Sequence, residues 1–127
     1  MRVVDLSRVL AGPLCSMILG DLGADVIKVE RPGTGDDTRQ WGPPFVGEDA
    51  AYFLSLNRNK RSVELNLATS EGASAARELV SSADVVLENF RSGVMEAFGL
   101  ELSALRSAQP KLITCTLTAF AEEPSEA

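Results

Sequence analysis

The sequence predicts an α/β domain, a parallel sheet with helices packed on both faces. Two observations carry that prediction. Short runs rich in apolar residues, at 3–6, 26–29, 84–88 and 112–117, have the character of strands buried on both sides. Between them lie segments of helical spacing, and strand–helix alternation is the signature of a parallel sheet. A length of 127 residues suits one domain with one core. The result is a Rossmann-like arrangement, in which ligands bind at the carboxyl edge of the strands.

Val3-Val4-Asp5-Leu6 is the first strand. Pro13 suits the first turn of the helix that follows, where its missing N–H costs nothing. Leu14, Met17, Ile18 and Leu22 continue at helical spacing, and Gly20 and Gly23 supply the exit. Val26, Ile27 and Val29 form the second strand. From Arg31 to Ala50, Gly, Pro and Asp dominate, which predicts a long loop of the kind that carries function. Tyr52 to Leu56 is apolar without a decided type. Ser62 to Leu67 alternates as a strand.

Thr69 or Ser70 caps the next helix, with Glu71 in its first turn. That helix runs to about Ser81 and turns Ala75, Ala76, Leu79 and Val80 toward the core. Asp84 to Glu88 is the fourth strand and Asn89 to Gly93 a turn. Val94 to Phe98 is a short helix closed by Gly99. Leu102 and Leu105 mark a further helix that ends before Pro110, and Leu112 to Leu117 is the last strand. Residues 1–118 form the domain and 119–127 a polar tail, frayed from Ala121 on.

The composition, 45% hydrophobic and 24% charged, is that of a soluble globular protein. A net charge of -6 argues against a nucleic-acid partner, which calls for a basic excess. The absence of histidine excludes a Ser-His-Asp triad, a Cys-His pair and a His-based metal site within this chain. Cys15 and Cys115 fit no metal or redox spacing. They read as small hydrophobes of the core, and no metal is expected. No leader pattern opens the chain. The most apolar stretch, 9–20, contains Pro13 and falls short of the ~20 residues a membrane span needs. The cytoplasm is therefore the expected compartment, with no membrane partner.

Four places have the residue types to meet a ligand. The turn Leu10-Ala11-Gly12-Pro13 lets backbone approach a phosphate at a helix start. It equally fits a tight turn that needs Gly for packing. No G-x-G-x-x-G is present, so a dinucleotide fingerprint is lacking. Glu30-Arg31 sits where strand two ends. An acid there can meet a ribose and an Arg can take a phosphate through two bonds; an exposed ion pair is the competing reading. Arg58, Lys60 and Arg61 form the one dense basic cluster, suited to phosphates or simply solvated. Asn89-Phe90-Arg91 follows strand four and offers a donor and acceptor, a stacking face and a guanidinium fork.

Several segments together resemble the start of family III CoA-transferases. They are Val4-Asp5-Leu6, Leu10-Ala11-Gly12-Pro13, the run Leu22 to Glu30, Asn59-Lys60-Arg61-Ser62, Ala83-Asp84-Val85 and Glu88 to Val94. The resemblance covers Val3 to about Leu117. It implies a coenzyme A or acyl-CoA ligand and acyl-CoA:carboxylate CoA transfer. It places CoA contacts at Leu10, Ala11, Arg31, Leu65, Asn89, Phe90 and Arg91. Two cations that some members use match Ala97 and Ala68 here, and are missing.

The catalytic Asp of the transferases, and the His and Asp pair of the racemases in the same family, lie beyond the matched region. No catalytic residue is therefore assigned, the sheet is expected to be incomplete relative to the family, and the chain alone is expected to be inactive. The family also implies a second small domain and two interlocked chains. The partner is then a like chain, or a separate one that supplies the C-terminal part. A racemase-type member, a non-catalytic CoA-binding module and a gene relic are the alternative readings.

Overall fold

The computed structural model describes residues 1–120. In chain order these form β1 (Arg2–Asp5), α1 (Ala11–Asp21), β2 (Asp25–Glu30), a 3-10 turn (Asp37–Gln40), β3 (Phe45–Val46), β4 (Asp49–Ala50), α2 (Ala51–Leu56), β5 (Lys60–Glu64), α3 (Ser70–Ser81), β6 (Val85–Glu88), α4 (Val94–Ala97), α5 (Leu102–Ala108) and β7 (Ile113–Thr116). The tail expected over 119–127 lies, from residue 121, outside the described residues.

The main sheet has the order β5-β2-β1-β6-β7, and every pairing in it is parallel. The α/β architecture is therefore the one the alternation predicts. Successive side chains of a strand point to opposite faces, and β1 shows the consequence. Val3 packs with Val26, Val85 and Leu87 against Cys15 and Leu19 of α1. Val4 packs with Val29 and Val86 against Ala76 and Val80 of α3, Met95 of α4 and Leu105 of α5. Val3, Val4, Val26 and Val86 are at most 1% exposed, so a polar residue at any of them would face an apolar layer.

The order reverses at β1. Val4 lies between Ile27 of β2 and Val86 of β6, and the chain fills the sheet outward on one side, then on the other. Where two neighbouring strands send their connections to opposite sides, a crevice opens beyond their carboxyl ends. That crevice positions the site.

Three elements differ from their sequence reading. The spacing Leu14, Met17, Ile18, Leu22 marks α1 as a helix, yet only Met17 of the four is buried. The face turned to the sheet carries Gly12, Pro13 and Ser16 as well, because Ser16 reaches a buried carboxylate described below. The strand read over 62–67 runs instead from Lys60 to Glu64. The alternation Val63, Leu65, Leu67 continues past the ladder, where these side chains still pack on the core. The stretch 31–50 is broken by the 3-10 turn and by the β3–β4 hairpin, and the undecided segment before Asn57 is helix α2.

Candidate functional site

A cleft of about 160 Å³ opens beyond the ends of β1, β2, β5 and β6. Leu6, Val29, Leu65, Leu67, Phe90 and Phe98 supply its apolar walls. Arg8 and the exposed Arg31 also line it, as do the buried Lys28, Glu30 and Asp36. A concave site with apolar walls and few polar groups is the usual form of a small-molecule pocket.

Buried charge holds this end of the sheet. Asp5 is fully buried. One of its oxygens accepts from the Ser7 N–H at 2.9 Å and from the Ser7 hydroxyl. The other accepts from Ser16 Oγ at 2.5 Å and Lys60 Nζ at 3.2 Å. Gly12 is required beside it, because a Cβ there would run into the Ser7 side chain.

Lys28, 1% exposed, donates from Nζ to the Ser7 carbonyl at 2.9 Å and pairs with Asp36 at 2.9 Å. Asp36 also accepts from the Thr38 N–H at 3.0 Å, the Thr38 hydroxyl at 2.7 Å and the Val9 N–H at 3.3 Å. Burial acts to raise the Asp36 carboxyl, but the Lys28 charge and the Thr38 bonds outweigh it and hold the group below the usual carboxylate range. Val9 has φ +71°, a left-handed conformation that a β-branched residue adopts only under constraint. The Val9 N–H bond to Asp36 belongs to that constraint.

Glu30 is the next link. Arg39 donates to both of its oxygens, at 2.8 and 2.6 Å. Ser62 Oγ at 2.7 Å and the Asp36 N–H at 2.7 Å complete its shell. Glu30 is thus committed to the protein and is not free to meet a ribose. Burial pushes its carboxyl up, and the bonds from Arg39, Ser62 and Asp36 bring it below the ordinary value. Arg39 continues to Asp49 at 2.9 Å and covers the Phe53 ring at 3.9 Å.

The seven residues to which the resemblance assigns CoA contacts fall into three groups. Arg31, Leu65 and Phe90 come together on the cleft. Arg31 is exposed and bonds Asp37 rather than the adjacent Glu30. Asn89, Phe90 and Arg91 line a second, open groove beside it, so Phe90 borders both. Leu10 and Ala11 stand exposed at the start of α1, where no side chain caps the first turn.

The basic cluster lies elsewhere. Arg61 pairs with Asp25 at the opposite end of β2, at 2.7 Å, and Arg58 with Asp21 at 2.7 Å. Lys60 turns inward to Asp5. Sequence reasoning missed Lys28, Asp36 and Arg8. The first two sit in apolar and loop sequence that gives no sign of burial. For Arg8 the one available signal was its place directly after the first strand.

The family model of CoA-transferase family III matches residues 1–127. The chain is 48% identical over 122 residues to a protein of Homo sapiens named succinyl-CoA:glutarate CoA-transferase, covering 96% of this chain and 28% of that protein. It is 52% identical over 128 residues to succinate–glutarate CoA-transferase of Agrobacterium fabrum, covering 96% and 32%. A crystal structure of a CAIB/BAIF family protein from Brucella suis superposes with a TM-score of 0.90 at 51% identity, covering 94% of this chain and 32% of that one. The chain thus spans about 30% of the length of the curated relatives it matches.

Proposed function

Because the chain belongs to CoA-transferase family III, we propose that it is the CoA-binding part of an enzyme that moves CoA between an acyl group and a carboxylate acceptor. The observation that carries this reading is the cleft at the reversal of strand order, with apolar walls and an exposed arginine at hand. The adenosine end of CoA sits against Leu65 and Phe90, and Arg31 takes a phosphate. Its partner Asp37 is as exposed as Arg31 itself, 50% against 51%, and an exposed pair of this kind holds by only about 0–1 kcal/mol. A phosphate can therefore replace Asp37.

Further along the ligand, the phosphates and pantetheine arm pass Leu10 and Ala11. The first N–H groups of α1 are uncapped by any side chain, and such a helix start favours an anion. Asn89 and Arg91 line the adjoining groove. No side chain of this chain is assigned a bond-making role. The names of the two relatives point to a dicarboxylic acid, such as succinate or glutarate, as the acyl partner. A second polypeptide, like or unlike, is the proposed protein partner; the exposed row Leu14 and Ile18 on α1, with Leu10 and Leu22 at its two caps, offers it an apolar surface.

Calorimetry of the 127-residue chain with CoA and with 3′-dephospho-CoA tests the reading. Saturable binding, weaker for the dephospho form, is the expected result. A folded chain that binds neither would overturn it.

A further inference from the structure

We propose that Arg8 is an anion-binding residue of the cleft, placed to take a phosphate of the bound nucleotide. The inference deepens the CoA reading and rests on it. Three cations line the cleft: Arg8, Lys28 and Arg31. Lys28 is paired with Asp36 and Arg31 with Asp37. Arg39, close by, is taken by Glu30 and Asp49. Among the described residues, Arg8 alone of the three lining cations has no carboxylate partner. An anionic group that enters the cleft therefore meets an available charge there and has no internal ion pair to break.

Arg8 is also fixed in place. Its guanidinium carbon lies 4.9 Å from the centroid of the Phe90 ring, a cation–π contact that leaves the in-plane N–H groups free. Its main chain is bonded on both sides by the Asn89 carboxamide. The next residue is Val9, held in a left-handed conformation with its N–H on Asp36. Little freedom is left for a ligand to remove, so the ordering cost of binding is low. A planar fork of this kind takes two oxygens of one phosphate. The apolar walls at Leu6, Val29 and Leu65 suit the base of a nucleotide, and its phosphates then lie within reach of the arginine.

The test is calorimetry of the parent chain, Arg8→Gln and Arg8→Lys against CoA, adenosine 3′,5′-bisphosphate, adenosine and succinate, with melting curves to establish folding. For Arg8→Gln, both phosphate-bearing ligands should bind about ten- to a hundredfold more weakly, with adenosine unchanged. Arg8→Lys should fall between, since it keeps the charge and loses the fork. Unchanged phosphate binding, an equal loss for adenosine, or a loss confined to succinate would each overturn the proposal. The last would mark Arg8 as a carboxylate site. A parent chain that fails to bind CoA overturns the CoA reading as well. A parent that binds while Arg8→Gln binds equally overturns only the role of Arg8.

Discussion

Arg8 and Asn89, 81 residues apart in the chain, are bonded in both directions: the Arg8 N–H donates to Asn89 Oδ1 at 2.9 Å, and Asn89 Nδ2 donates to the Arg8 carbonyl at 2.8 Å. One side chain thereby joins the loop after β1 to the loop after β6. Asn89→Ala removes both bonds and leaves two half-buried main-chain groups unpaired. A loss of about 1–3 kcal/mol is expected, read as a lower urea midpoint. A change within about 0.5 kcal/mol, the range of an indifferent surface substitution, would show that the two loops hold without it.

Arg31→Ala should weaken CoA binding about ten- to a hundredfold, the worth of one charge-assisted bond. Asp37→Ala should not weaken it, because Asp37 only occupies Arg31 when no ligand is present. Titration calorimetry of both variants checks the pair. Equal losses in the two would mean that the Arg31–Asp37 contact shapes the loop and the arginine does not meet the ligand.

Lys28 and Asp36 have side chains 2% and 0% exposed at 2.9 Å. Asp36→Asn leaves the Lys28 ammonium buried without its counterion, which costs about 3–5 kcal/mol. Combining Lys28→Met with Asp36→Asn should cost less than Asp36→Asn alone, since the uncompensated charge is gone. A double-mutant cycle in urea measures the difference, and strict additivity would refute the pairing.

Acid should unfold the protein through these same carboxylates. Asp36 and Glu30 are both held below their ordinary values. A carboxylate depressed in the folded state contributes stability above its unfolded value of about 4. That contribution disappears as pH falls from there through the folded value. The urea midpoint should therefore fall steadily below about pH 4, and Asp36→Asn should flatten the fall. A midpoint that is level down to about pH 2 would contradict the sign of both shifts.

Gly12→Ala sets a methyl group against the Ser7 side chain, which is buried and bonded to Asp5. Neither side can yield without breaking the Asp5 shell. Overpacking of this kind costs about 1–3 kcal/mol, visible as a lower melting temperature. A neutral Gly12→Ala would mean that α1 can shift away from the sheet.

The sheet was legible because strands buried on both faces leave a compact trace. Val3-Val4 and Val85-Val86-Leu87 can hardly serve another purpose. The stretch from Arg31 to Ala50 was not legible, since its order comes from Asp36, Arg39 and Asp49 meeting Lys28 and Glu30 across space. Lys28 itself is hidden by its neighbours Ile27 and Val29: a lone lysine in an apolar run reads as a solvated edge, and only the fold shows Asp36 beside it. The cluster at Arg58, Lys60 and Arg61 misleads for the converse reason. Local sequence cannot show that Asp21, Asp25 and Asp5 neutralise it. Of the cleft, Arg31 and Phe90 could be read because they follow strand ends, whereas Leu65, read as part of a strand, came only from the family resemblance. Arg8 follows one too, but its significance depends on which other cations are already taken.

Buried and half-buried charges form one connected series: Lys60, Asp5, the Ser7 loop, Lys28, Asp36, Glu30, Arg39, Asp49, in which Asp36 reaches Glu30 through its main-chain N–H. Such a series constrains how the gene can vary. A single substitution at a buried member such as Lys28 or Asp36 strands its partner ion in the interior and is selected against. Divergence at these positions has to proceed by paired replacement or by passage through a weakened intermediate. The rim residues around the cleft, which lie outside the series, can drift one at a time, and ligand preference can change there while the frame beneath it stays fixed.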